Sequence, residues 1–154
     1  MEPRFVEKTP IKVVGILTFG QPDKLDYNDI WAVQYMKYDE QLKPYSPDKG
    51  YYGVWLGEEG KLAYLAGMVV ENLPEVPEGL AMREIPAARY AVFECTIGTL
   101  SKTYTAIWQE WLPTSNYILD ESKSDFEYYP PKTGPGDPPA AIYIPIKVKE
   151  PQAT

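Results

Sequence analysis

Glu127 stands inside an aromatic run, Phe126-Glu127-Tyr128-Tyr129. Aromatic residues favour strands, and alternate side chains of a strand share a face. Glu127 is therefore expected to point the same way as Tyr129, opposite to Phe126 and Tyr128. A carboxylate on an aromatic face is costly to desolvate unless something positive meets it. The chemistry this suggests is capture of an organic cation. The plainer alternative is an edge strand whose Glu127 points into water, as most glutamates do.

Composition removes many other chemistries. The chain of 154 residues has no histidine and one cysteine, Cys95. Without histidine there is no Ser-His-Asp or Cys-His arrangement and no zinc site using imidazole. No glycine-rich phosphate loop is present. Any catalysis would rest on carboxylates, tyrosine, lysine or bound water. The net charge of −7 argues against direct binding of nucleic acid, which needs Lys and Arg to neutralise phosphates, and mildly favours cationic ligands. The 13 Tyr and 4 Trp combine apolar area with a polar tip, which suits binding surfaces as well as cores. A lone cysteine permits no internal disulfide, Met1 to Phe5 contains no signal-like apolar stretch, and the run Leu62 to Val70 is far too short to span a bilayer. A cytoplasmic protein with no membrane partner and no cofactor is expected.

The elements that must position Glu127 are written twice. Pro10-Ile11-Lys12-Val13-Val14-Gly15-Ile16 and Pro86-Ala87-Ala88-Arg89-Tyr90-Ala91-Val92 open two copies, each with an acid shortly before the proline, Glu7 and Glu84. A helical segment follows, roughly Tyr27 to Leu42 in the first copy and Leu100 to Leu112 in the second, where Pro113 stops it. Two further strands close each copy: Tyr51 to Leu56 and Leu62 to Val70, then Asp125 to Tyr129 and Ala141 to Val148. Gly57-Glu58-Glu59-Gly60 reads as a hairpin loop. The fold class is α+β, a tandem pseudo-twofold duplication of a strand–helix–strand–strand unit with an antiparallel sheet and two helices. One domain over residues 1–154 is expected, with half one at about 1–73, a linker at about 74–79 and half two at about 80–150. On the second helix Leu100, Tyr104, Ile107, Trp108 and Trp111 form an apolar stripe. Such a stripe ordinarily packs on the sheet, but Tyr104 and Trp108 are an i,i+4 pair whose polar tips need partners, and a pocket rim would supply them. The first helix, with Ile30, Trp31, Val33, Gln34 and Tyr38, allows more than one buried face. The proline- and glycine-rich stretch 130–139 reads as a loop that could act as a lid or stand idle.

Taken in order, Ile85-Pro86-Ala87-Ala88-Arg89-Tyr90-Ala91-Val92-Phe93, Ile107-Trp108-Gln109-Glu110-Trp111-Leu112-Pro113, Asp125-Phe126-Glu127-Tyr128-Tyr129 and Ile142-Tyr143-Ile144-Pro145-Ile146 resemble the GyrI-like superfamily, the effector-binding domain of AraC-type and multidrug-responsive regulators. Tyr64-Leu65-Ala66-Gly67 fits it in the first half. The resemblance covers essentially the whole chain and implies two strand–helix–strand–strand units with a ligand site between them. It implies that Glu127 faces a cationic, lipophilic ligand, with Tyr104 and Tyr52 matching aromatic positions of the two halves and Trp31 a looser match. Trp108, Tyr129, and Tyr64 and Tyr90 from the matching motifs complete the candidate set. Two departures stand out. Regulators carry a DNA-binding helical domain, whereas all 154 residues here are used by the effector fold, so a free-standing module is expected. The last strand often opens with an acid in the family but here opens with Ala140-Ala141, which argues against a role needing two carboxylates.

The leading expectation is a binding module for lipophilic or aromatic cations. A second is a hydrolase of strained electrophilic compounds, as in some stand-alone relatives, with Glu127 as general base. A third is a protein-interaction or inhibitor module that presents a ligand-dependent surface to a separately encoded regulator. Tetrapyrrole binding is a remote fourth.

Overall fold

Each half opens with a two-strand arm. Strands β1 (Arg4–Lys8) and β2 (Ile11–Phe19) flank Pro10, and strands β5 (Ala81–Ile85) and β6 (Ala88–Thr96) flank Pro86. The arms do not close on themselves. β1 pairs with β6 and β5 pairs with β2, so each half lends its first strand to the edge of the other. The acids before the two prolines now have a place: Glu7 lies across from Arg89, and Glu84 across from Lys12. Opposite charges directly across a strand pair are favourable, and the same pairing recurs on both edges.

This architecture comes from a computed structural model, which describes residues 2–131 and 138–149. The remaining strands are β3 (Tyr51–Glu58), β4 (Lys61–Val69), β7 (Tyr117–Leu119), β8 (Phe126–Tyr129) and β9 (Pro139–Val148). The sheet runs β1-β6-β9-β8-β3-β4-β2-β5, with β7 attached to β9, and the pairs are antiparallel. Read outward from the centre, β3 matches β8, β4 matches β9, β2 matches β6, and β5 matches β1. The pseudo-twofold axis therefore passes between β3 and β8. The duplicated α+β fold is as the sequence implies, with β1, β5 and β7 added to it. Those three are short, and Arg4–Lys8 and Ala81–Ile85 carry charges typical of edge strands, which hides their alternation. The hairpin between β3 and β4 turns on Glu59 and Gly60, both at positive φ, the backbone form that suits a two-residue turn. The proline-rich stretch expected as a loop falls mostly on 132–137, outside the described residues.

Helical segments at 27–45 and 97–114 both contain π-wound turns. The first comprises a π-turn at Asp29–Gln34 and a short α1 (Asp39–Leu42); the Asp29 N–H donates to Asp26 Oδ1 (3.0 Å) at its start. The second runs from α2 (Leu100–Ala106) through a π-turn at Ile107–Trp111 into α3 (Leu112–Thr114). Thr96 and Thr99 form a reciprocal capping box before it, and it ends just past Pro113.

Both segments lie on one face of the sheet. The first covers Val14, Ile16, Tyr64, Ala66 and Met68; the second covers Ala91, Phe93, Ile142, Ile144 and Ile146. The opposite face gathers Val13, Tyr52, Val54, Leu65, Tyr90, Val92 and Phe126 from both halves into one cluster. No helical residue packs on that cluster among the described residues, so the twisted strands curl around it. The apolar stripe of the second helix divides its work. Ile107 is fully buried and Trp111 packs edge-on against Phe93 (5.0 Å between centroids), whereas Tyr104 and Trp108 turn toward the gap between the two segments.

Ile107 is therefore the anchor that seats the helix bearing Tyr104. Ile107→Ala should cost about 2–4 kcal/mol in urea unfolding, the usual range for truncating a buried isoleucine.

Candidate functional site

Strand alternation decides what faces the gap. On β8, Glu127 and Tyr129 point toward the helices, and Asp125 just before the strand is held in the same ladder by the Trp55 N–H donating to its carbonyl (3.1 Å). On β3, Tyr51, Gly53 and Trp55 share that face, and Gly53 lies directly across from Glu127. Tyr64 comes from β4, one strand further out, yet its hydroxyl reaches Glu127 across β3. It does so because position 53 is glycine: a Cβ there would run into the Tyr64 hydroxyl.

Glu127 is 5% exposed. Its Oε1 accepts from the Tyr129 hydroxyl (2.6 Å) and the Tyr64 hydroxyl (3.2 Å). Its Oε2 accepts from the Tyr104 hydroxyl (2.8 Å) and from Trp55 Nε1 (3.3 Å). Trp31 Nε1 in turn donates to the Tyr64 hydroxyl (3.2 Å). The sequence suggested a carboxylate short of partners; here it has a full set, all of them neutral. Burial pushes its pKa up, and the donors from Tyr129, Tyr104, Trp55 and Tyr64 pull it back only in part. The same burial, with the Glu127 charge beside them, raises the phenols of Tyr64, Tyr104 and Tyr129 well above their ordinary value, so they remain donors.

Glu127 lies at the floor of a cavity of about 960 Å³ between the helical segments. Its walls are two i,i+4 aromatic pairs, Tyr27 with Trp31 and Tyr104 with Trp108, one from each helical segment, joined by Tyr51, Trp55 and Tyr129. Tyr27 meets Tyr64 edge to face at 5.4 Å, and Trp31 meets Tyr129 the same way at 6.0 Å. Trp108 and Ile97, 39% and 48% exposed, stand at the mouth. The lining contains two acids, Glu127 and Asp125, and neither lysine nor arginine. Burial, and then the charge of Glu127, lift the Asp125 carboxyl to about 6. A second carboxylate is thus present after all, from a position other than the start of the last strand.

Of the sequence-derived candidates, Glu127, Tyr104, Trp108, Trp31 and Tyr129 line the cavity, and Tyr64 supports its floor. Tyr52 and Tyr90 do not join them. Both point into the cluster on the opposite face, where the Tyr52 hydroxyl donates to Asp48 Oδ2 (2.6 Å) and the Tyr90 hydroxyl to the Ser124 carbonyl (3.4 Å). The reason is parity: Tyr52 precedes Gly53 by one residue, and one residue reverses the face. The same parity identifies Tyr51 and Trp55, which sequence reasoning passed over. Tyr27 was also missed, although it stands before Trp31 as Tyr104 stands before Trp108. Asp125 was visible as part of the motif, but only its place on the ladder puts it in the cavity.

A family model described as Cass2, integron-associated effector binding protein, matches residues 4–146. Among curated proteins, the transcriptional regulator BrlR of Pseudomonas aeruginosa is 30% identical over 151 residues, covering 95% of this chain and 56% of the regulator; the chain spans about half the length of that relative. A DNA gyrase inhibitor of Erwinia billingiae is 26% identical over 164 residues, covering 97% of this chain and all of the inhibitor. Among solved structures, SAV2435 bound to tetraphenylphosphonium shares the fold with a TM-score of 0.74 at 18% identity, over 96% of this chain and 94% of that one.

Two stability measurements check this geometry. Gly53→Ala should cost roughly 1–3 kcal/mol in urea unfolding, because Tyr64 must give way and Glu127 loses a donor. Gly57→Ala on the same strand, where nothing lies within 4 Å of the added carbon, should cost no more than the ordinary surface change. Asp125 has its pKa raised by folding from 3.8 to about 6, so the native state holds its proton more tightly than the unfolded chain. Its contribution is then fully present below pH 3.8 and lost as pH rises through about 6. Asp125→Asn should accordingly raise the unfolding free energy at about pH 8 by up to roughly 2 kcal/mol after allowance for solvent screening, with no gain at about pH 4.

Proposed function

The chain belongs to the integron-associated effector-binding family, a GyrI-like group, and from that premise we propose that its cavity binds lipophilic aromatic cations. One observation carries the reading: Glu127 is buried at the floor of an aromatic cavity with neutral donors on both oxygens and no basic residue in the lining. The donors hold the carboxylate in place without cancelling its charge, so a cation entering the cavity meets a fixed negative centre. For charges about 5 Å apart in an effective dielectric of about 20, the attraction is roughly 3 kcal/mol. Aromatic faces at Trp31, Trp55, Tyr104 and Trp108 add cation–π contacts of about 0.5–2 kcal/mol each. A cavity of about 960 Å³ suits a ligand with several rings, toward the upper end of small-molecule sites. The solved structure of a relative in fold with tetraphenylphosphonium bound supports this ligand class for the chain.

The test is a thermal-shift screen of the purified protein against lipophilic cations and size-matched neutral dyes, repeated with Glu127→Gln. Ligands that bind only the folded state raise the midpoint. Cations should raise it more than neutral dyes do, and the mutation should abolish the difference. Equal loss for cations and neutral dyes would sink the ion-pair account. Mass spectrometry of recovered ligand separates binding from hydrolysis, since a binder returns it unchanged.

Acidification provides an independent check. Asp125 takes a proton at about 6 and Glu127 above its ordinary range, and each protonation removes negative charge from the cavity. Calorimetric affinity for tetraphenylphosphonium should fall as pH drops from about 8 to about 5, while that of a neutral dye stays level.

A further inference from the structure

The two carboxylates of the cavity are not equivalent. Each oxygen of Glu127 already takes two donors, from Tyr129 and Tyr64 on one side and Tyr104 and Trp55 on the other. An ionised carboxylate has about four lone-pair sites, so a ligand N–H can bond to Glu127 only by displacing one of these groups. Asp125 is the opposite case. It lines the same cavity on the same face, half-buried, and among the described residues no side chain donates to it and no cation pairs with it. Only its own backbone N–H is turned toward its carboxylate. Its backbone is fixed by the Trp55 ladder bond, so the carboxylate stays at the cavity wall instead of swinging to solvent with a loop.

We propose that Asp125 is a second anionic subsite and the cavity's hydrogen-bond acceptor for ligand, so that the preferred ligands are flat aromatic cations bearing ammonium or amidinium N–H groups, with ring and charge over Glu127 and an N–H donor on Asp125. This rests on the cation-binding reading above and narrows its ligand class. Quaternary cations have no donor for Asp125 and meet both acids through charge alone. A donor-bearing cation gains a charge-assisted hydrogen bond at an acceptor whose position is set before binding. The division also explains how one cavity holds two acids: the deeper one is satisfied internally, and the outer one is left for the ligand.

The experiment uses calorimetry at about pH 7.5, above the value of about 6 at which Asp125 takes a proton. Two probes are compared: diminazene, a flat aromatic diamidine with N–H donors, and tetraphenylphosphonium, which has none. Wild-type protein, Asp125→Asn and Glu127→Gln are each titrated. Asp125→Asn should weaken diminazene about tenfold or more and tetraphenylphosphonium less than about threefold, the difference a charge-assisted hydrogen bond makes. Glu127→Gln should weaken both. Retained tetraphenylphosphonium binding by Asp125→Asn also shows that this variant is folded. Equal weakening of the two probes would mean that Asp125 contributes only a general negative field, and unchanged diminazene affinity would mean that it contributes nothing; either overturns the subsite and leaves the cation-binding module standing. Wild-type protein that binds neither probe overturns both readings.

Discussion

Most of what is distinctive in this structure follows from burying one carboxylate with neutral partners. Removing Glu127 from water is expensive unless hydrogen bonds replace the lost hydration. Here three tyrosine hydroxyls and an indole N–H do so. Meeting that requirement draws residues from β3, β4, β8 and the second helix to one point, and each must arrive at hydrogen-bond distance. Gly53 is the concession that lets Tyr64 through, and the Trp31 N–H completes the chain by donating to Tyr64 in turn. A lysine or arginine in place of these donors would have neutralised Glu127; the donors present leave its charge in the cavity.

The pseudo-twofold fold explains why the site is where it is. The axis passes between β3 and β8, and both halves contribute to the groove between the two helical segments. Matching i,i+4 aromatic pairs line its two sides. At the floor the symmetry breaks. Half two supplies the acids, Asp125 and Glu127; half one supplies Gly53 and the donors Trp55 and Tyr64. A duplicated scaffold thus provides a symmetric aromatic box, and the asymmetric floor gives the box its sign. The exchange of β1 and β5 between halves adds pairing between the two units at both edges, beyond the central β3–β8 pair.

The cavity sets stability against function. An open space of this size between two helical segments forgoes packing that a filled core would have, and Asp125 at its edge resists ionisation. The π-wound turns at Asp29–Gln34 and Ile107–Trp111 carry Trp31 and Trp108 into the cavity wall, and such turns depart from the best helical hydrogen bonding. The curled cluster on the opposite face, anchored by buried Tyr52, Tyr90 and Phe126, is where the molecule packs without such compromises.

Much of this was legible in the chain itself. Period-two alternation around Phe126-Glu127-Tyr128-Tyr129 was enough to place Glu127 beside Tyr129, and helical spacing was enough to pair Tyr104 with Trp108, because both rules are local and depend only on backbone geometry. The repeated strand–helix–strand–strand order exposed the duplication for the same reason. Local rules could not say which strand lies beside which. The resemblance matches Tyr52 to a ligand-facing position and Tyr90 sits within a matching motif, but the register puts both on the far side of the sheet. Trp55 and Asp125 entered the site only because β3 lies against β8 with Gly53 across from Glu127. The same pairing brings donors from β3 and β4 to Glu127, whereas among the described residues no side chain donates to Asp125. Sequence by itself determined which side chains of one strand or helix share a face, since side-chain direction follows from local dihedrals. The number and kind of partners each buried acid has was decided by tertiary structure alone, since hydrogen bonds form across strands that are distant in the chain.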